Sequence, residues 1–238
     1  MKHLQHDMDQ LHRHVMDMTS MVEQMIDQAT RALAERREEW AEQVVAADAE
    51  VDDAEVRIEE ECLKILALHQ PVAADLRRIA TVLKVNGDLE RIADLAVSIA
   101  QRAQAIADYP EFPIPDRLDR MVALASQMVR GAMDAFVSLD SASARRILRL
   151  DDDVDEHNRE LIVELQAIMQ QEPELVPPAL HCFSATRHIE RIADHATNIA
   201  EDVVYLVEGD IVRHARPGTS KSQPKRPTSQ PRRETGER

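Results

Sequence analysis

The sequence predicts an all-α protein, and three observations support this prediction. The 238 residues include only five Gly and 3% aromatic residues, while 31% are charged, a composition typical of helices rather than sheets. All eleven Pro residues lie at position 71, within 110–115 and 173–178, or beyond 216, so none interrupts a long periodic segment. Apolar residues recur with helical spacing over six segments. These predict helices at about 6–45, 48–69, 72–108, 117–148, 151–171 and 176–210.

The chain contains an internal repeat. The stretches LERIADLAVSIA (89–100) and IERIADHATNIA (189–200) are identical at eight of twelve positions. A second pair, DAEVD (48–52) and DDDVD (151–155), places a DxxxD motif at the predicted start of the second helix of each half. Each half therefore contains three helices. We predict two tandem three-helix bundles, related by a pseudo-twofold internal repeat.

The predicted domain boundaries follow from composition. Residues 109–116 are rich in Pro and are expected to link a first bundle, residues 1–108, to a second bundle, residues 117–212. Residues 213–238 consist largely of Pro, Ser, Thr and Arg, so we expect a disordered tail.

This tail is basic, with eight Lys or Arg against two Glu and a charge of +6, whereas residues 1–212 carry −21. Three uses remain open: an inert solubility extension, docking on the chain's own acidic helices in competition with metal, or contact with an anionic membrane surface. Prolines that extend the chain and widely spaced arginines favour the membrane over self-docking.

The overall charge and the absence of targeting signals narrow the expected partners and the expected location. A net charge of −15 argues against nucleic acid as a general partner. No apolar run approaches the ~20 residues that span a bilayer, and the N-terminus lacks the apolar core of a signal peptide. Cys62 and Cys182 lack metal-type spacing, so we expect both to be small core residues in a reducing compartment. The expected location is cytoplasmic.

Acidic side chains share one face of the repeated helices. With Glu190 placed at 0°, helical periodicity puts Asp194 near about 40° and Glu201 near about 20°, opposite Ile189 and Ile192. On the second helix, four acids lie within about 60° of one another: Asp48, Asp52, Glu55 and Glu59.

These acidic stripes have two interpretations, a solvated helix face or a metal site. Lys or Arg at four-residue spacing would stabilise a solvated face by ~0.2–0.5 kcal/mol per pair, and the stripes lack them. Four carboxylates on one face repel one another unless a cation binds. Oxygen donors favour Mg, Ca, Mn or Fe over a Cys-rich zinc site.

Enzymatic motifs are missing from the sequence. A di-iron oxidase of the ferritin type uses Glu-x-x-His pairs, and the chain has none. P-loop, Rossmann and nucleophile-elbow motifs are also absent. These absences argue against a carboxylate-bridged metalloenzyme, which is the alternative from another functional class.

Two blocks of the sequence resemble the PhoU family of bacterial phosphate-signalling regulators. The block LALHQPVAADLRRIATVLKVNGDLERIADLAVSIA (66–100) resembles the family's Gln-Pro-Val-Ala-x-Asp-Leu-Arg segment and the acidic helix after it. The block IERIADHATNIAEDV (189–203) resembles the same motif in the second half. The resemblance covers nearly all of residues 1–212. It implies a cytoplasmic protein of two three-helix bundles without catalytic activity.

The resemblance also implies a function, negative regulation of the phosphate-starvation response and of phosphate uptake. Family members are thought to link the phosphate-specific ABC transporter to a membrane sensor histidine kinase. The expected partners are therefore the kinase and the transporter ATPase, together with a second copy in a homodimer. We expect no nucleic-acid partner, and we expect peripheral membrane association through the tail. An accessory subunit that gates another phosphate or cation transporter is the nearer alternative.

Metal binding is a further implication of the resemblance, because some family members carry multinuclear clusters, iron among them, on Glu/Asp-x-x-x-Asp motifs. We expect divalent or trivalent ions, Fe, Mn, Mg or Zn, without a preference among them. The ligands carried over to this sequence are Asp48, Asp52, Glu90, Asp94, Asp151, Asp155, Glu190, Asp194, Asn198 and Glu201. The first half has Ser98 and Gln101 where the second has Asn198 and Glu201, so we expect the second site to bind more strongly.

The segment QPVAADLRR has two interpretations, and both remain open. It can be a helix start, with Pro71 in the first turn and an Asp75–Arg78 ion pair on the surface. The resemblance suggests instead a partner-docking corner, with Gln70, Pro71, Asp75 and Arg77 as its residues.

Overall fold

The computed structural model describes residues 2–209, and within them the chain forms six α-helices and no strand. This confirms the predicted all-α class and the two helical repeats. A 3₁₀ turn, Pro173–Leu175, precedes the last helix. The basic tail lies outside the described residues. The helices are α1 (Lys2–Glu35), α2 (Glu38–His69), α3 (Ala74–Ala107), α4 (Arg117–Ser138), α5 (Ser141–Gln171) and α6 (Val176–Glu208).

Both helix hairpins turn about ten residues earlier than helical periodicity predicts. The first helix ends at residue 35 rather than 45, and the fourth ends at residue 138 rather than 148. Each turn uses a residue with left-handed backbone, Arg36 and Leu139, both with φ of 54°. These two residues are separated by as many positions as Asp48 and Asp151, so the repeat extends to the backbone of the turns. Neither turn contains Gly or Pro, the residues that most strongly indicate a turn in a sequence.

The earlier turns move the DxxxD motifs away from the helix starts, and the prediction that the motifs begin the second helices is wrong. Asp48 lies ten residues after Glu38, and Asp151 lies ten residues after Ser141. The residue just before α5 is Asp140, whose carboxylate accepts hydrogen bonds from the backbone N–H groups of residues 142 and 143 at 2.9 and 3.1 Å. This is N-capping by a short acidic side chain.

The two bundles, α1–α3 and α4–α6, pack directly against each other. The most extensive helix contact in the described chain joins α3 to α6, and α1 also touches α4. A continuous apolar core of Ala, Val, Leu, Ile and Met fills both bundles. Cys62 and Cys182 lie in this core, unpaired as predicted, and burial raises the pKa of each thiol to about 12.

Two interhelical corners and the C-terminus of α6 lie at one end of the molecule. The guanidinium of Arg77, at the start of α3, donates to the carbonyl of Leu206 at 3.4 Å. Arg145, in the first turns of α5, binds the Glu208 carboxylate at 2.6 Å. Helix α6 ends at Gly209 with φ of 81°, where a Cβ would approach the Arg77 guanidinium to 3.1 Å. The α2–α3 corner, the α4–α5 corner and the end of α6 therefore share one end of the bundle.

Candidate metal-binding site

The second acidic cluster lies between α5 and α6. Partial burial, followed by repulsion from Glu190, Asp151 and Asp155, raises the pKa of Asp194 to about 6, against a smaller opposite effect of His195. Burial also raises the pKa of Asp151, with Asp155 as the largest charged contributor. These four carboxyl groups, predicted from the sequence as ligands, are therefore close enough to repel one another.

Only one of the two oxygens of the Glu190 carboxylate has a hydrogen-bond partner. One oxygen, Oε1, accepts from the guanidinium of Arg187 at 3.0 Å. The other, Oε2, is buried and has no hydrogen-bond partner. A buried oxygen without a partner has lost its water without compensation, and a cation would restore that loss. Of all atoms in the cluster, this oxygen is the one best suited to accept a cation.

The first acidic cluster lies between α2 and α3 and contains an acid that the motif comparison omitted. Burial raises the pKa of Glu90, and repulsion from Asp94, Glu55 and Asp52 adds to the effect. Burial likewise raises the pKa of Asp48, with contributions from Asp52 and Asp94. The four predicted ligands of the first half therefore come together as well, and Glu55 joins them.

Asn198 and Glu201 lie in a different place from the other predicted ligands. Both line a cleft of about 440 Å³ between α3 and α6, and the amide of Asn198 donates to the Asp88 carboxylate at 3.4 Å. The remaining lining residues of this cleft are Leu83, Lys84, Gly87, Asp88 and Arg91. We expected the second site to bind metal more strongly than the first because of Asn198 and Glu201. Their position in a separate cleft removes this reason. The expectation now rests on the large upward pKa shift of Asp194 and on the unpartnered oxygen of Glu190.

One hydrogen bond and one ion pair cross from α3 to α6, and the sequence reasoning missed both. Nδ1 of His195 lies 2.8 Å from Oδ1 of Asp88, and Nζ of Lys84 lies 2.9 Å from Oδ1 of Asp202. The two carboxylates are 6% and 2% exposed. The sequence did indicate that Asp88 and Asp202 are buried, because helical periodicity places both toward the apolar side of their helices, away from the other acids.

The oxygen donors of the acidic clusters are suited to a hard cation, but the carboxylates do not converge on a single point. Among residues 2–209, no three His, Cys, Asp or Glu side chains converge as a formed metal site would require. The carboxylates are nonetheless near neighbours on partly exposed helix faces. Oxygen donors in this number suit Mg, Mn or Fe ions. Zn, which more often takes Cys and His, fits this donor set less well.

The predicted docking corner is a strained connection rather than a helix start. Helix α3 begins at Ala74, so Pro71 precedes it, and the interpretation that placed this residue in the first turn is wrong. Gln70 caps α2 with φ of 44°, and Ala73 has φ of 49°. Asp75 is exposed and forms no ion pair with Arg78 within the described chain. Backbone strain in non-Gly residues, with this exposure, keeps the docking interpretation open.

The fold and the two acidic clusters define a class of protein, a duplicated three-helix bundle with paired carboxylates on each repeat. None of the described helices is long and apolar enough to cross a membrane. The model of the PhoU domain matches residues 15–103 and again residues 118–203. The chain belongs to the PhoU family.

Named relatives and solved structures agree with this assignment. A phosphate-specific transport system accessory protein PhoU homolog from Aquifex aeolicus is 38% identical over 208 residues, which is 87% of this chain and 94% of the relative. The protein of that name, PhoU, from Escherichia coli K12 is 33% identical over 208 residues, covering 87% and 86%. The crystal structure of PhoU from Pseudomonas aeruginosa superposes with a TM-score of 0.84 at 35% identity, covering 87% of this chain and 99% of that one. The phosphate transport system regulatory protein PhoU from Streptococcus pneumoniae gives 0.82 at 26% identity, covering 88% and 99%.

Proposed function

We propose that the protein is a negative regulator of phosphate uptake and of the phosphate-starvation response, acting in the cytoplasm without catalysis of its own. It links the ATPase of a phosphate ABC transporter to a sensor histidine kinase and holds the kinase inactive when phosphate is plentiful. The observation that carries this proposal is the match of both halves to one family, whose relatives are named accessory or regulatory proteins of phosphate transport. A homodimer is part of the proposal.

Metal binding belongs to the same proposal. The carboxylates of each cluster repel one another, and their raised pKa values mean that a bound cation would relieve a strain that the folded chain now carries. Asp151, Asp155, Glu190 and Asp194 would hold the ion in the second half, and Asp48, Asp52, Glu90 and Asp94 in the first. The ion would supply a fixed positive charge on the face that meets a partner. Partner binding would then depend on metal.

A deletion strain tests the regulatory role. Without the protein, alkaline phosphatase should stay high in excess phosphate, because nothing restrains the kinase. Plasmid expression of the full chain should restore repression, and a chain with Glu190→Ala and Asp194→Ala should restore it less completely. Normal repression in the deletion strain contradicts the kinase link. In that case the alternative function is that of an accessory subunit of another phosphate or cation transporter, which acts without a kinase.

A further inference from the structure

A row of basic and hydroxyl side chains lies along the contact between α3 and α6. On α6, His181, Ser184, His188 and Arg191 follow one another at spacings of three, four and three residues, so they share one face of that helix. Nη1 of Arg102, on α3, lies 3.5 Å from Nδ1 of His181, and Oγ of Ser184 lies 3.3 Å from Nε2 of His188. We call these five residues the basic seam. Four of them are half-buried, and Arg191 is exposed.

The basic seam has no carboxylate bound to it. In the described part of the chain, none of its Arg and His side chains forms an ion pair, and the acid nearest to it along α6, Glu190, is bound to Arg187. The charges of Arg102 and Arg191 are close enough to lower the pKa of His188, after the larger effect of burial. Two buried nitrogen atoms of the seam, Nε of Arg102 and Nδ1 of His188, have no hydrogen-bond partner. Because Nε of an arginine always carries a proton, this buried donor lacks an acceptor.

The internal repeat provides a comparison within the same molecule, because residues one hundred positions apart are equivalent on α3 and α6. In the other half of the α3–α6 contact, two buried carboxylates, Asp88 and Asp202, are paired with groups of the opposite helix at 2.8 and 2.9 Å. Their counterparts in the repeat are His188 and Arg102. One half of the contact therefore contains the acids that its basic groups need, and the other half contains basic groups alone. An anion from solution would take the place of the missing carboxylates.

The charges around the basic seam restrict the kind of anion. Glu190 and Asp194 lie within one helical turn of Arg191, and residues 1–212 together carry −21. A nucleic acid or an anionic membrane would be repelled by these carboxylates, whereas a small anion can contact the seam alone. A guanidinium group forms two parallel hydrogen bonds with the oxygens of a phosphate or a similar oxyanion. The seam is therefore suited to a small tetrahedral oxyanion.

We propose that the basic seam binds a small tetrahedral oxyanion, phosphate or sulfate, with Arg102 as the principal ligand and His188 and Arg191 as further donors. The anion accepts hydrogen bonds from the buried nitrogens that lack a partner, and it neutralises the uncompensated positive charge of the α3–α6 contact. This inference goes beyond the proposed function, because the acidic clusters, the kinase and the transporter have no part in it.

Isothermal titration calorimetry of the full chain with inorganic phosphate tests the proposal. The protein is first dialysed against a chelator, so that a metal ion in the acidic clusters cannot bind the anion, and chloride keeps the ionic strength constant. We expect saturable binding of phosphate, with sulfate competing for the same site. Arg102→Gln should weaken the affinity about tenfold or more, since the principal donor is lost. Arg149→Gln is the matched control and should change nothing, because this exposed arginine lies one turn after Arg145, which binds the opposite, C-terminal end of α6.

Ser184→Asp is a second test, in which the chain itself supplies the missing carboxylate. The new side chain would lie next to His188 within the seam. This variant should melt at a higher temperature than the wild type in the absence of phosphate. Phosphate should raise the melting temperature of the wild type and leave that of the variant unchanged, because only the wild type binds it.

Circular dichroism of every variant verifies the fold. The proposal is overturned if neither calorimetry nor melting detects binding of phosphate or sulfate to the wild type. It is also overturned if Arg102→Gln binds phosphate as tightly as the wild type does, or if Ser184→Asp keeps the full response to phosphate. None of these results changes the expected phenotype of the deletion strain, so this proposal and the regulatory one can fail separately.

Discussion

At the scale of one residue, Asp194 shows how burial and neighbouring carboxylates together change the stability of the fold with pH. Its pKa of about 6 means that the folded chain holds a proton more tightly than the unfolded chain, whose reference value is 3.8. The contribution of this group to stability is therefore fully present below pH 3.8 and is lost as the pH rises through about 6. At neutral pH the ionised group opposes folding, unless a cation is bound.

Removing this charge should stabilise the metal-free protein. We expect Asp194→Asn to raise the free energy of unfolding by about 1 kcal/mol at pH 7.5, a value reduced for solvent screening because the side chain is partly exposed. At pH 3 the gain should nearly vanish, because the wild-type carboxyl is then protonated in both the folded and the unfolded state. Urea unfolding in the presence of a chelator at both pH values measures this. Asp53→Asn, at an exposed acid outside the cluster, is the control, and an equal gain there would contradict the assignment.

The two clusters should differ in metal content. Replacing Glu190 and Asp194 with Ala should lower metal stoichiometry more than replacing Glu90 and Asp94, since the second cluster has the large pKa shift of Asp194 and the unpartnered Glu190 oxygen. Elemental analysis after dialysis against Fe, Mn, Mg or Zn provides the stoichiometry. Added metal should also stabilise the wild type, by about 2.7 kcal/mol at a hundredfold excess over the dissociation constant. Equal losses from both pairs contradict the ranking, and no loss from either pair supports a solvated acidic face.

At the scale of helices, periodicity predicted all six segments and both acidic stripes but misplaced the hairpin turns. The residues around Arg36 and Leu139 keep an apolar spacing that continues helically through the turn, so only cap chemistry could show the break. The second turn had such a signal, an Asp followed by Ser residues at 140–143. The first had none, because Arg37 occupies the N-cap without a side-chain hydrogen bond. The α3–α6 polar contacts could be predicted only in part, because the position of each Asp on its helix indicated burial but its partner lies about a hundred residues away in sequence.

The cap of α5 can be tested directly. Asp140→Ala should lower the melting temperature by about 3 °C, because two backbone N–H groups lose their acceptor. Asp116→Ala is the matched control, since Asp116 occupies the same position of α4 without a side-chain cap hydrogen bond and should have little effect. Differential scanning calorimetry compares the two, and similar shifts would show that the observed hydrogen bonds contribute nothing.

At the scale of the whole molecule, the contact between α3 and α6 should make both bundles unfold together. Trp40 fluorescence reports on the first bundle and far-ultraviolet circular dichroism on both, so the two urea transitions should coincide. Lys84→Met removes the ammonium group from the buried Asp202 carboxylate, and should lower the free energy of unfolding by about 2 kcal/mol without separating the transitions. Lys64→Met, at an exposed position on α2, is the control. Two resolved transitions in the wild type would show that the bundles are independent.

The contact between α3 and α6 also makes the duplicated halves non-interchangeable. In the sequence repeat, the counterpart of Asp88 is His188, and the counterpart of His195 is Leu95. A chimera of two first halves would set Asp88 against Leu95 and leave a buried carboxylate facing a hydrocarbon side chain. A chimera of two second halves would set His188 against His195. The polar residues of the α3–α6 contact are therefore complementary between the two halves, and a change on the inner face of one repeat has to be matched on the other.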